Sequence, residues 1–184
     1  ERHLFLEGLF LRYGYDFRQY AEASLDRRLA ALIQHFEKKN LLEVLQAALD
    51  SSDFFKELLP HLTINTTEFF RDPLFFRALR EKVIPFLKTY PTVKIWVAGC
   101  SSGEEMVSLA ILLKETGLYE RTTIYASDIN AHMLKRAKDG IYDASCVENF
   151  VKNYVLAGGE TTPSQYYTAE YGLIRFDLSL RENV

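Results

Sequence analysis

Two places in this chain set groups where chemistry could be done: the run Gly99-Cys100-Ser101-Ser102-Gly103-Glu104-Glu105, and the carboxylate of Asp128. Glycine lets a backbone turn sharply and come close to a bound molecule. The first amides of a helix that follows such a turn have no partner inside the helix and can serve as donors. Asp128 offers an acceptor able to receive both hydroxyls of a ribose. Each place ends a β-rich run, and in open α/β sheets ligands sit beyond the carboxyl ends of the strands. A purely structural alternative stands beside this one. Glycine turns join strand to helix in many α/β proteins, and an acid at a strand end can simply cap the next helix.

Charge narrows the ligand. The turn lacks the complete GxGxxG pattern, and Glu104 and Glu105 open the helix where a pyrophosphate would have to rest. Like charge disfavours that anion, whereas a ligand with a sulfonium and an amino group, and no phosphate, is attracted. The corner therefore favours S-adenosylmethionine over NAD. Upstream, Leu62-Thr63-Ile64-Asn65-Thr66-Thr67-Glu68-Phe69-Phe70-Arg71-Asp72 is a polar stretch with two aromatics and one arginine. It could be a capped turn in which Thr66 or Thr67 starts a helix and the phenylalanines fill a core. Arg71 fits that reading poorly, because a guanidinium is a planar fork matched to a carboxylate.

The elements that must position these groups change character near residue 91. Before it the chain reads as helices. Ser24 is a plausible N-cap for an amphipathic helix carrying Leu25, Leu29, Leu32, Ile33 and Phe36, with Lys38 and Lys39 at its carboxyl end. Shorter helices are expected over about 41–49 and 53–62, and a longer one from Pro73 to about Thr89. After Pro91 comes a nearly all-apolar strand over 93–98, as expected of one covered on both faces, then the glycine turn and a helix over about 104–116. A second strand over 122–127 ends at Asp128. This βαβ unit implies a parallel sheet with a right-handed crossover. Helices are expected over 131–138, stopped by Gly140, and over about 145–154, and a small antiparallel hairpin within 166–180.

The bulk composition excludes several classes. The chain has 184 residues, 48% hydrophobic, with a formal net charge of -3, so it can bury a core and offers no global positive field for a nucleic-acid backbone. Cys100 and Cys146 stand apart, with no CxxC or Cys/His cluster, so neither a disulfide framework nor a metal site is expected and a reducing cytoplasm fits. No apolar run approaches the roughly 20 residues needed to cross a bilayer, and no signal-peptide pattern opens the sequence.

Taken together, Asn65-Thr66-Thr67-Glu68-Phe69-Phe70-Arg71-Asp72, Trp96-Val97-Ala98-Gly99-Cys100-Ser101-Ser102-Gly103-Glu104-Glu105 and Ala126-Ser127-Asp128-Ile129 resemble the CheR family of chemotaxis receptor methyltransferases. The likeness extends to Ala137-Lys138-Asp139-Gly140-Ile141-Tyr142, to Tyr15-Asp16-Phe17 and to Arg27-Arg28, so it covers nearly the whole chain. It implies an α/β fold: an N-terminal all-helical domain, 1–72, followed over 73–184 by part of a Rossmann-like S-adenosylmethionine methyltransferase domain with a small antiparallel β-subdomain at 155–184. It further implies that Asn65, Thr67 and Arg71 line the cofactor and active-site pocket, and that Gly99, Glu105 and Asp128 also meet the cofactor, with Arg71 the catalytic candidate. The implied reaction is methylation of receptor glutamates, leaving S-adenosylhomocysteine.

The implied partners are the cytoplasmic helical bundle of a chemoreceptor and, through the β-subdomain, a receptor's C-terminal peptide. Arg27, Arg28, Lys38 and Lys39 are candidate docking groups, against the plainer reading that they face solvent. Two departures stand out: Met106-Val107 replaces the family's Pro-Tyr after Glu105, and the chain stops at Val184, before strands that carry an Arg-Asn pair and an active-site tyrosine. The 184-residue piece is therefore expected to be inactive alone and to bind cofactor weakly. The rival readings are a docking or sensing module that keeps the fold without catalysis and a nucleotide-binding oxidoreductase of Rossmann type.

Overall fold

The computed structural model describes residues 1–63 and 66–184 and divides into two compact units, Glu1–Ile64 and Asn65–Val184. The first unit is helical: α1 (Arg2–Tyr13), α2 (Glu22–His35), α3 (Leu41–Asp50) and α4 (Ser52–Leu62). Its core is built on Phe5, Leu9, Leu32, Val44, Leu58 and Leu62, all fully buried. Helix α1 carries apolar residues around much of its circumference and has Gly8 at mid-length, which hides its periodicity from a sequence reading. Gly8 lies on Leu45, whose Cδ1 would be 2.9 Å from an added Cβ, so the glycine permits close approach to α3. Ser24 is not a cap: α2 begins two residues earlier, after Ala21. The side-chain caps are instead Asn40, accepting from the Glu43 amide, and Ser51, accepting from the Phe54 amide. Arg28 turns its guanidinium to the Thr63 carbonyl, so it holds the unit together, while Arg27 is exposed.

The second unit begins with the polar stretch, and Phe69 and Phe70 are buried in its core with Val97, Ile111 and Phe150. Residues 66–72, grouped with the helical domain on sequence, thus pack with the α/β unit. The helix expected after Pro73 is interrupted. α5 (Pro73–Ala78) passes into a π turn at Leu79–Val83 and then α6 (Ile84–Leu87). Pro85 has no amide to donate, and the widened turn accommodates the gap in the ladder.

Strand β1 (Val93–Ala98), helix α7 (Glu104–Glu115) and strand β2 (Thr122–Ser127) form the expected βαβ unit, with β1 and β2 parallel in register from Val93↔Thr122 to Ala98↔Ser127. Val93, Val97, Thr122 and Ile124 form the buried face. The other face is open: Trp96 is 69% and Tyr125 52% exposed. Within these 184 residues the apolar strand β1 is covered on one face. Along the outer edge of β2 the Ile124 amide donates to the Asn183 carbonyl at 2.8 Å. Helix α7 is buried without a break from Met106 to Leu113.

Helix α8 (Ala131–Asp139) follows, capped by Asn130, which accepts from the His132 and Met133 amides, and stopped by Gly140 at φ 60°. β3 (Ile141–Asp143), α9 (Val147–Leu156), β4 (Tyr167–Glu170) and β5 (Leu173–Phe176) complete the unit. The last two form an antiparallel hairpin across Tyr171 and Gly172, both at positive φ, as a two-residue turn of the primed type requires. β3 adds to β5, giving the order β3-β5-β4. Among the described residues no helix is long and apolar enough to cross a membrane.

Candidate functional site

The turn between β1 and α7 is held from several sides. Gly99 and Cys100 both donate to the Ser127 carbonyl, at 2.8 and 2.9 Å, which ties the turn to the end of β2. The Ser101 amide donates to Asp128 Oδ2 at 2.8 Å, and the Gly103 amide to the Cys100 carbonyl at 2.9 Å. The Ser102 carbonyl accepts from the buried Tyr142 hydroxyl at 2.9 Å. Four amides of the turn, those of Gly99, Cys100, Ser101 and Gly103, are thus spent within the fold. The donors expected from the sequence were the next ones along, the first amides of α7.

Acidic groups dominate what remains. Asp128 is half-buried, its other oxygen accepting from the Asn130 amide at 2.8 Å. The cap of α8 is Asn130, so Asp128 is not simply the helix cap that the structural alternative supposed. Each of its oxygens accepts from one backbone amide, and a carboxylate oxygen has capacity for more. Glu104 is buried, with the Ser102 hydroxyl at 2.7 and 2.8 Å from its two oxygens. Burial pushes its carboxyl above the ordinary value, against the lowering effects of Ser102, its own amide and the Arg136 charge. Glu105 is exposed at the same helix start. Burial likewise pushes the Cys100 thiol up, to about 11, so no reactive thiolate stands here. Among the described residues no group of three or more metal-ligating side chains could hold an ion.

The polar stretch is joined to the same helix start. Ser108, fully buried, donates to the Glu104 carbonyl at 2.6 Å and accepts from the Phe70 amide at 2.8 Å, and Asn153 donates to the Phe69 carbonyl at 3.0 Å. Phe70 and Asp72, on either side of Arg71, have positive φ. Arg71 itself is exposed and donates to the Thr66 carbonyl at 3.2 Å, and Thr67 is half-buried. Asn65 lies outside the described residues. The structure brings Gly99 and Asp128 together directly, through shared bonds with Ser101 and Ser127. It brings the Arg71 backbone to the start of α7 through Ser108, with no bond between the Arg71 guanidinium and either acid. Sequence reasoning gave no role of their own to Ser108, Tyr142 and Ser102. The last two lie in motifs already singled out, and Ser108 left its own signal, a lone hydroxyl in an otherwise apolar helical run.

A cavity of about 890 Å³ opens beside this corner, lined by Trp96, Cys100, Tyr125, Ser127, Leu178 and Arg181 among others. Its lining omits Asp128 and Glu105, so it adjoins the corner without forming it. Asp128→Asn is expected to weaken S-adenosylhomocysteine binding about 10–100-fold in calorimetric titration. The amide would face a backbone N–H with its own N–H and could not accept two ribose hydroxyls. An unchanged Kd would remove Asp128 from the site.

A parallel βαβ unit with a glycine corner and an acid at the second strand tip is the frame of a Rossmann-like methyltransferase domain. Residues 65–173 match the family model described as CheR methyltransferase, SAM binding domain, and residues 1–63 the model described as CheR methyltransferase, all-alpha domain. The chain belongs to the CheR methyltransferase family, and S-adenosylmethionine is the methyl donor of the domain it matches. It is 47% identical over 184 residues to a Pseudomonas putida protein named as a methyltransferase, Cher3, covering all of this chain and 67% of that one. A chemotaxis protein methyltransferase of Borreliella burgdorferi is 30% identical over 156 residues, covering 78% of this chain and 55% of its own. Chemotaxis protein methyltransferase 1 of Vibrio cholerae is 33% identical over 136 residues, covering 70% and 48%. The chain therefore spans about two thirds of the first relative and about half of the other two.

Proposed function

We propose that the parent protein works in the cytoplasm, where it methylates glutamate side chains on the helical bundle of methyl-accepting chemotaxis receptors. The observation that carries this reading is the corner itself. Four of its turn amides are spent internally, Glu105 is exposed and Asp128 half-buried, an acidic acceptor set suited to a cationic, phosphate-free adenosyl compound. When bound, S-adenosylmethionine supplies an electrophilic methyl group. Asp128 is assigned to the ribose hydroxyls, Glu105 to the positively charged end, and Asn65, Thr67 and Gly99 to the remaining pocket wall.

A glutamate carboxylate is ionised at neutral pH and already nucleophilic, so the protein need not supply a strong base. Its work is alignment and exclusion of water, which can contribute several kcal/mol, about 7–11 for well-oriented groups. Arg71 is assigned to orienting a carboxylate, either the incoming glutamate's or the donor's own. Exposed Arg27, with Lys38 and Lys39, is a candidate contact for an acidic receptor helix. The open edge of β4, where Thr168, Ala169 and Glu170 are exposed, supports capture of an extended receptor tail peptide.

Two measurements on the full-length parent protein test this. Calorimetry should show binding of S-adenosylhomocysteine and none of NADH, and tritiated methyl groups should pass to receptor-rich membranes. Cofactor binding without transfer would favour a sensing module, and NADH binding would overturn the assignment.

A further inference from the structure

We propose that Tyr142 is a positioning residue for the cofactor corner: its hydroxyl fixes the Ser102 carbonyl, and through it the antiparallel sheet sets the shape of the turn that receives the adenosyl donor. The inference rests on the cofactor reading above and deepens it. Tyr142 is the inward residue of the three-residue strand β3 and is 4% exposed. Its ring stands edge-on to Phe69 at 4.9 Å and to Phe176 at 5.8 Å. Those contacts fix the ring, and the hydroxyl then reaches across to the turn.

What it holds there is conformationally costly. Ser102 sits between Ser101, at φ 48°, and Gly103, at φ 96°. A non-glycine residue in that left-handed region is disfavoured and persists only where its surroundings over-determine it. Gly103 adds a steric condition. A Cβ there would lie 2.9 Å from the Ala137 Cβ and 3.2 Å from the Tyr142 hydroxyl oxygen. The turn is therefore wedged between α8 and β3, and a bond to the Ser102 carbonyl opposes rotation of the Ser102–Gly103 peptide, which adjoins the left-handed Gly103 and follows directly on Ser101. Burial, and after it the Glu104 charge, pushes the phenol well above its ordinary value, so it remains a donor at physiological pH.

Removing the hydroxyl leaves the aromatic packing in place and strips a buried carbonyl of its partner. The binding-competent turn then becomes one conformer among several, and apparent affinity falls with its population. In the full-length parent protein, Tyr142→Phe is expected to raise the Kd for S-adenosylhomocysteine and the KM for the methyl donor together by about 3–10-fold, the span of one lost hydrogen bond. The kcat at saturating donor should stay within about twofold, because Arg71 is untouched. Ile84→Val, in the same buried core but on α6 and away from the Tyr142 ring and the turn, should lower the melting temperature and leave the Kd where it is. Gly103→Ala supplies the same readout should Tyr142→Phe prove insoluble, and should weaken binding at least tenfold. Unchanged affinity in Tyr142→Phe or Gly103→Ala would overturn the proposal. So would an equal rise in Kd from Ile84→Val, which would make the effect one of general loosening. If the unaltered protein takes up no S-adenosylhomocysteine, the cofactor reading itself falls and this inference with it.

Discussion

Arg71→Ala in the full-length parent protein is expected to lower methyl transfer by about 10²–10³-fold, the scale seen when one charge-orienting donor is removed from an active site. The melting temperature should scarcely move. The physical basis is the separation between the backbone of residue 71 and its side chain. The backbone is anchored just before Arg71 by buried groups: Phe69 and Phe70 pack in the core, the Phe69 carbonyl accepts from Asn153 and the Phe70 amide donates to Ser108. The guanidinium is exposed, and its one bond among the described residues is to the Thr66 carbonyl. Its removal therefore leaves no buried partner stranded, and stability has little reason to change. A fall in kcat larger than the rise in donor KM would assign Arg71 to the receiving carboxylate, and the reverse split to the donor. A folded Arg71→Ala protein with full transfer would end its catalytic assignment.

The parts of this site that could be read from sequence are those written in consecutive residues. The βαβ unit, the glycine turn and Asp128 at a strand tip are local patterns, since a run such as Val93–Ala98 followed by Gly99 carries its own strand and turn preferences. The acids Glu104 and Glu105 could be seen as a pair, and the resemblance favoured Glu105, but nothing in the residues themselves said which would be buried. Burial against Ser102 for one and exposure for the other depend on which way each leaves the first turn of α7. Long-range pairings were silent. Tyr142 reaches Ser102 across 40 residues, and the three-residue strand that carries it is too short to declare itself by alternation. The same limit explains the open face of β1 and β2. Trp96 and Tyr125 are apolar enough to read as core, and only the three-dimensional arrangement shows them exposed.

Glu115→Ala should cost about 3–5 kcal/mol of unfolding free energy, and Glu115→Gln somewhat less, measured by denaturant titration. The Glu115 side chain is 1% exposed at the far end of α7. One of its oxygens pairs with Arg80, itself 10% exposed. The other accepts from the hydroxyls of Tyr154, Tyr166 and Thr161 and from the Glu160 amide. One carboxylate thereby joins α7 to the π turn, to α9 and to the loop before β4. Truncating it strands a buried guanidinium and two phenols, whose remaining partners are Glu160 for Arg80 and Thr161 for both tyrosines. Burial alone would raise this carboxyl. The bonds from Tyr154 and Arg80, the Arg80 charge and the Glu160 amide outweigh it and hold the carboxyl below its ordinary value of 4.5. A carboxyl lowered in the folded state stabilises fully above its unfolded value, and the benefit is lost as pH falls through the folded one. The gap in stability between the unaltered protein and Glu115→Gln should accordingly be widest near neutrality and close as pH drops below about 4.5. A gap that stayed constant, or a loss under about 1 kcal/mol at pH 7, would show that the cluster is ornamental. Because Glu115 lies at the opposite end of α7 from the acidic corner, the folded fraction of such a variant should keep its affinity for S-adenosylhomocysteine, the inverse of the pattern expected from Tyr142→Phe.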